Sequence, residues 1–184
     1  MPVFTGRSRF RALALAGVAA LAGVGLAACS DPPTTEAEGG GERPEECGEP
    51  SSLELALGGQ EVRFEVSESA ARHVDEQTWV VGVGDGPVDL GTANSLGELP
   101  DPPATGTRVV IRLHSSEGPL RSGQTLTAAD LGVAISVATD GNEMPVTALG
   151  AQATVAYVDD TTVCGSVSVT DEVSIGGSFV ASTS

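Results

Sequence analysis

The sequence predicts an all-β protein, an antiparallel β-sandwich of about eight strands, with a small β-barrel as the alternative closure. Three observations carry this reading. Between residues 51 and 184, 19 Val, 3 Ile and 13 Thr make β-branched side chains 35 of 134 positions, the composition of pleated, half-buried segments. Apolar and polar residues alternate in short stretches, and Gly and Pro punctuate the intervals between them. No sustained 3.6-residue apolar pattern competes with that alternation.

The elements follow in order. Leu53, Leu55 and Leu57 alternate with Glu54 and Ala56, Gly58-Gly59 supplies a two-residue turn, and Val62, Phe64 and Val66 alternate with Glu61, Arg63 and Glu65. Together they predict a hairpin with one apolar face. A short helical turn is expected after Ser67, through Ala70 and Ala71. Strands are expected over residues 79–83 and 108–114, separated by a surface loop at 91–106 that contains Pro100, Pro102 and Pro103. Residues 133–138, 153–158, 162–170 and 173–181 complete the set. In the segment 162–170, Val163, Gly165, Val167 and Val169 share one face while Cys164, Ser166 and Ser168 share the other, so Cys164 points away from the core. In the last strand Val173, Ile175, Gly177 and Phe179 take the inward face.

The first 28 residues have a different character. A basic start (Arg7, Arg9, Arg11) precedes an apolar, Ala- and Gly-rich stretch over residues 12–26 and the small residues Ala27 and Ala28. This is the layout of a secretory signal peptide, and the run is at the short end for a helix spanning about 30 Å of hydrocarbon. No adjacent arginine pair occurs, so general secretion is the expected route.

Leu26-Ala27-Ala28-Cys29 resembles the lipobox of bacterial lipoproteins. The resemblance implies that Cys29 receives a diacylglycerol, that cleavage occurs before it, and that the new amino terminus is often acylated. Two or more chains on one residue suffice for stable anchoring, each buried methylene contributing about 0.8 kcal/mol. The implied address is the cell envelope, facing away from the cytoplasm. Ser30 after the cysteine leans toward the outer membrane where the cell has one. Residues 165–179 and 119–126 also resemble elements of uncharacterised exported β-sandwich lipoproteins, a likeness that implies strand packing and no activity.

Residues 29–50 follow as a spacer. From residue 30 they carry seven carboxylates, four prolines and four glycines, with almost no apolar side chain, and cannot offset their ordering entropy by burial. The 51–184 segment is the folded domain. With Cys29 assigned to lipid, Cys47 and Cys164 remain as an even pair outside the reducing cytosol, and one disulfide is expected between them. A free thiol or a two-thiol metal site is the competing reading, without a CxxC spacing or nearby histidine to support it.

The nine basic residues are all arginine against 25 acidic ones, for a formal net charge of −16. Such a surface repels phosphate backbones and anionic headgroups, which argues against nucleic-acid partners. Only His73 and His114 could act as imidazole bases, and neither a GxSxG elbow nor HExxH accompanies them. His114 is expected on an outward face beside Arg112. The run His73-Val74-Asp75-Glu76 reads as a polar turn before Trp79. Calcium ligands would come from Asp140-Gly141-Asn142-Glu143 or Asp159-Asp160, although adjacent acids in turns are normally solvated and no EF-hand loop is present. The aromatic set beyond the leader, Phe64, Trp79, Tyr157 and Phe179, is too small and too core-directed for a sugar cleft. The expected function is therefore a non-enzymatic interaction or structural role, with neither cofactor nor metal, for a protein held to a membrane through Cys29 and meeting an envelope protein partner. A small-ligand or Ca²⁺ binding module is the alternative, and an envelope enzyme the third.

Overall fold

The computed structural model describes residues 43–62, 64–91, 93–94, 101–146 and 148–183. The expected leader, the lipidation site Cys29 and the spacer as far as residue 42 lie outside these residues. A 3₁₀ turn (Glu45–Gly48) precedes eleven strands: β1 (Ser52–Leu57), β2 (Gln60–Val62), β3 (Glu68–Asp75), β4 (Thr78–Gly84), β5 (Thr107–His114), β6 (Thr125–Thr127), β7 (Val133–Thr139), β8 (Asn142–Val146), β9 (Gln152–Val158), β10 (Thr162–Val169) and β11 (Val173–Ser182). Among the described residues no helix is long and apolar enough to cross a membrane.

The strands form two sheets, ordered β2-β1-β11-β10-β9-β6 and β3-β4-β5-β7-β8. All neighbours within each sheet are antiparallel. The sheets stay separate, so the fold is a β-sandwich and the closed-barrel alternative is set aside. A single parallel bridge, Ala71 to Thr183, stitches the β3 edge to the end of β11. The core between the sheets joins Leu53, Leu55, Val155, Val167, Ile175 and Phe179 on one side to Trp79, Val81, Val109, Ile111, Leu113 and Val137 on the other. Gly58 and Gly59, at φ 57° and 77°, make the β1–β2 turn with the left-handed geometry that suits a two-residue hairpin.

The strand count rises from eight to eleven because three edge elements carry little apolar signal. The region expected to form a helical turn after Ser67 is strand β3. Ala70 and Ala71 favour helix in isolation, but the register with β4, Ala70 opposite Gly82 and Ala71 opposite Val81, prevails. β6 has only three residues, and β8 is polar and contains Pro145, which an edge strand tolerates. The predicted hairpin is also shorter than its pattern: pairing ends at Val62 opposite Leu55, while Phe64 and Val66 leave the ladder and still pack against the core.

The segment between β4 and β5 does more than connect; residues 92 and 95–100 of the surface loop expected at 91–106 lie outside the described residues, and Ala93 is buried. Val80 and Val110 face outward from the β3–β8 sheet, and Val88, Leu90 and Ala93 cover them as a second apolar cluster. β4 is consequently buried along its whole length. Arg72 Nη1 donates to the Leu90 carbonyl at 3.2 Å and to that of Gly91, and Arg108 Nη2 donates to the Asp101 carbonyl at 2.7 Å. Burial pushes the Arg108 guanidinium below its ordinary pKa, with the charges of Glu143, Asp89 and Asp101 opposing that shift.

Candidate functional site

Cys47 and Cys164 are joined in a disulfide, with Cα atoms 5.7 Å apart. Cys164 lies opposite Val180 and Tyr157, on the face of its sheet that turns away from the core, as alternation along the strand requires. Both cysteines are nevertheless buried, because the 3₁₀ turn carrying Cys47 covers that face. The turn is held by the Cys47 N–H donating to the Pro44 carbonyl at 2.9 Å and Arg43 Nη2 donating to the Cys47 carbonyl at 2.6 Å. The β9–β10 register shifts between Cys164 and Gly165, which leaves Ala156 as the extra residue of a bulge. A recess of about 140 Å³ beside the disulfide is rimmed by Glu46, Thr154, Ala156, Ser166 and Ser178.

The other side chains singled out in the sequence converge at one flank of the sandwich. His73 pairs with Trp79 across β3 and β4, and its ring stacks on the indole with centroids 4.7 Å apart and planes 13° from parallel. Trp79 is only 2 % exposed, so the imidazole of this edge strand acts as the outer cover of a core side chain. Next to it the β9–β10 turn brings up Asp159 and Asp160. A groove of about 440 Å³ runs between His73, Glu76, Pro119, Leu120, Val158 and the two aspartates, with Trp79 at its base. A second groove, of about 500 Å³, also contains His73 and Asp160 and continues over the β3 edge past Arg72, Asp89 and Leu90. The run expected as a polar turn is the end of β3 and the residue after it; His73 and Glu76 share one open surface with Asp159 and Asp160, while Val74 packs into the second apolar cluster. Asp89, Pro119 and Leu120 carry no local signal, and only the strand order brings them there.

The acids of this surface differ in how they are held. Asp159 Oδ1 accepts the N–H groups of Thr161 and Thr162, each at 2.8 Å, and the Thr161 hydroxyl at 3.0 Å, while Oδ2 accepts the Tyr157 hydroxyl at 2.9 Å. The Thr161 N–H leads in holding this carboxyl below the usual range; partial desolvation opposes it, and the Tyr157, Thr162 and Thr161 hydrogen bonds reinforce it. The same bond to Asp159 raises the Tyr157 phenol. The carboxylates of Glu76 and Asp160 are exposed and have no hydrogen-bond partner among the described residues. Arg72 is engaged with the Leu90 and Gly91 carbonyls.

The remaining candidates are structural. Asp140 Oδ1 accepts the Gly106 N–H at 3.0 Å, so this acid closes a loop contact. His114 faces outward as expected and its Nδ1 lies 3.1 Å from Thr78 Oγ1. Among the described residues no group of three or more His, Cys, Asp or Glu is placed to hold a metal ion. What the flank offers chemically is an imidazole stacked over a core indole, an apolar strip and several carboxylates, an arrangement suited to recognising cations that carry apolar surface. No family model matches the chain, and no curated protein or solved structure was found to be similar to it.

Proposed function

We propose that the chain is a lipid-anchored protein of the cell envelope, held through Cys29 on the extracytoplasmic side of a membrane, that presents its sandwich for a non-enzymatic interaction. The observation that carries this reading is the Cys47–Cys164 disulfide, since such bonds persist in oxidising compartments. It agrees with a leader-like segment ending in Leu26-Ala27-Ala28-Cys29 and with the Pro-, Gly- and Glu-rich residues that follow. The acidic excess fits a solvated surface kept clear of anionic headgroups. A sandwich by itself confers no activity, and the flank groove, where side chains from both sheets meet, is the surface that would serve the interaction.

The test is the intact mass of the membrane-extracted protein, with and without reduction before alkylation. The expected result is a chain beginning at Cys29 with acyl groups, whose Cys47 and Cys164 are alkylated only after reduction. A chain that retains its leader without lipid, or with three reactive thiols, would overturn the proposal.

A further inference from the structure

Resting on the reading of the domain as an interaction module, we propose that the groove between His73 and the β9–β10 turn docks a basic, extended segment of a partner protein. Lys or Arg side chains would meet Glu76, Asp160 and Asp89, and an apolar side chain would lie over Pro119, Leu120 and Val158.

Four features support this occupant. The carboxylates come from three separate parts of the chain, the β3–β4 turn, the loop over the outer sheet face and the β9–β10 turn, so they spread along the surface instead of converging on one point. A ligand that satisfies them must itself be extended and carry several cations. Arg72 keeps its charge while it holds the Leu90 and Gly91 carbonyls, but it stands against Glu76, Asp89, Asp159 and Asp160 in the lining of the two grooves, so the surface stays net acidic. The two grooves share His73 and Asp160, and their volumes of about 440 and 500 Å³ exceed what a lone ion needs. Finally, the net charge of −16 draws a basic partner from a distance and repels polyanions.

The chemistry of the strip adds selectivity. His73 lies flat on Trp79, leaving one ring face as a platform, and an Arg guanidinium stacks on such a surface more readily than a hydrated ammonium. Arginine-containing segments should therefore bind more tightly than lysine ones of equal charge.

The test uses the full chain in detergent micelles, titrated with labelled peptides of about ten residues, a length that spans such a surface when extended. One alternates Arg with Leu, one Lys with Leu, one Arg with Gly and one Glu with Leu, and binding is read by fluorescence anisotropy. The expected result is saturable binding of the first, weaker binding of the second and third, and none of the fourth. The E76Q/D160N variant should lose about tenfold or more in affinity, whereas the charge-matched E54Q/E61Q variant, altered on β1 and β2, should lose less than about twofold. Equal losses in both variants would reveal general attraction of polycations and overturn the proposal, as would absent binding or equal binding of the acidic peptide. A photo-crosslinking Arg-Leu peptide on the unaltered chain gives an independent readout. Labelling at residues 73–76, 88–91, 119–120 or 158–160 supports the groove, and labelling confined elsewhere overturns it. Failure here leaves the mass measurement of anchor and disulfide standing, and failure of that measurement leaves this titration standing.

Discussion

Cys47 is bonded to Cys164 across a sequence separation of 117 residues, and the bond fastens a single 3₁₀ turn to the outer face of β10. Within the turn the Cys47 N–H bonds back to the Pro44 carbonyl and Arg43 donates to the Cys47 carbonyl, and just after it Ser51 Oγ donates to the Val180 carbonyl and accepts the Val180 N–H. The disulfide therefore gives the turn a second covalent connection to the sheet, beside the backbone that runs on into β1.

Replacing both cysteines with serine should lower the unfolding free energy by about 2 to 5 kcal/mol, since closing so long a loop restricts the unfolded chain strongly. Urea unfolding of the variant and of the reduced parent should give coincident midpoints, both below that of the oxidised parent. Coincidence of all three midpoints would show that the staple contributes nothing to folding.

Gly165 sits where β10 meets the bulge in β9. A Cβ there would enter the van der Waals radius of the Thr154 carbonyl oxygen and lie 3.1 Å from the Phe179 ring. Because the first obstacle is backbone and the second is a fully buried ring, neither can retreat cheaply. Gly165→Ala should cost about 1 to 3 kcal/mol. Gly150→Ala, where a Cβ meets nothing within 4 Å, should be close to neutral. Thermal melts of the two variants provide the check.

Leu131 is 74 % exposed and has φ 59°, a left-handed conformation that disfavours an L-residue with a side chain. It gains little from burial there. Leu131→Gly should raise stability by about 1 kcal/mol, the relieved backbone strain outweighing the greater entropy of glycine in the unfolded chain. A melting temperature that falls instead would mean that the exposed leucine makes a stabilising contact.

The interior of the sandwich was legible because its strands advertise themselves. Leu53 and Leu55, Val167 and Val169, and Ile175 and Phe179 alternate with polar neighbours and point inward as their spacing demands. Legibility failed where one strand face is not water. Val80 and Val110 look outward but are covered by Val88 and Leu90, so the loop between β4 and β5 reads as solvent-facing although part of it packs. It failed again at the edges, where β3 has half its side chains in solvent and shows a helix-like Ala70-Ala71 pair. Residue types at the flank site were visible, since His73 and Asp159-Asp160 each stood out, but their meeting was not. It depends on the sheet order that lays β3 beside the end of β11, a long-range outcome without a local signature. Cys164 was readable in its facing and not in its burial, which comes from the turn that its partner brings.

Asp159 makes the β9–β10 turn sensitive to acid. Its carboxylate accepts two backbone N–H groups and two hydroxyls, and the Thr161 N–H, first among these, holds its pKa below the ordinary value. A carboxyl with a depressed folded-state pKa contributes stability that is fully present above its unfolded value, near about 4, and is lost as pH falls through the lower folded value. The melting temperature of the parent should therefore drop on acidification from about pH 5 to about pH 2, beyond the decline common to the other carboxylates. Asp159→Asn should be the less stable protein at neutral pH and show a shallower acid decline, so that the two curves approach each other at low pH. Tyr157→Phe, which removes only the Oδ2 partner, should fall between them. Because the carboxylate is largely exposed, salt should shrink the charge-dependent part of the difference at neutral pH and leave the hydrogen-bonded part. Parallel curves for parent and Asp159→Asn across that pH range would mean that the turn is held by its backbone alone, and that the ionisation of Asp159 does not stabilise this wall of the groove.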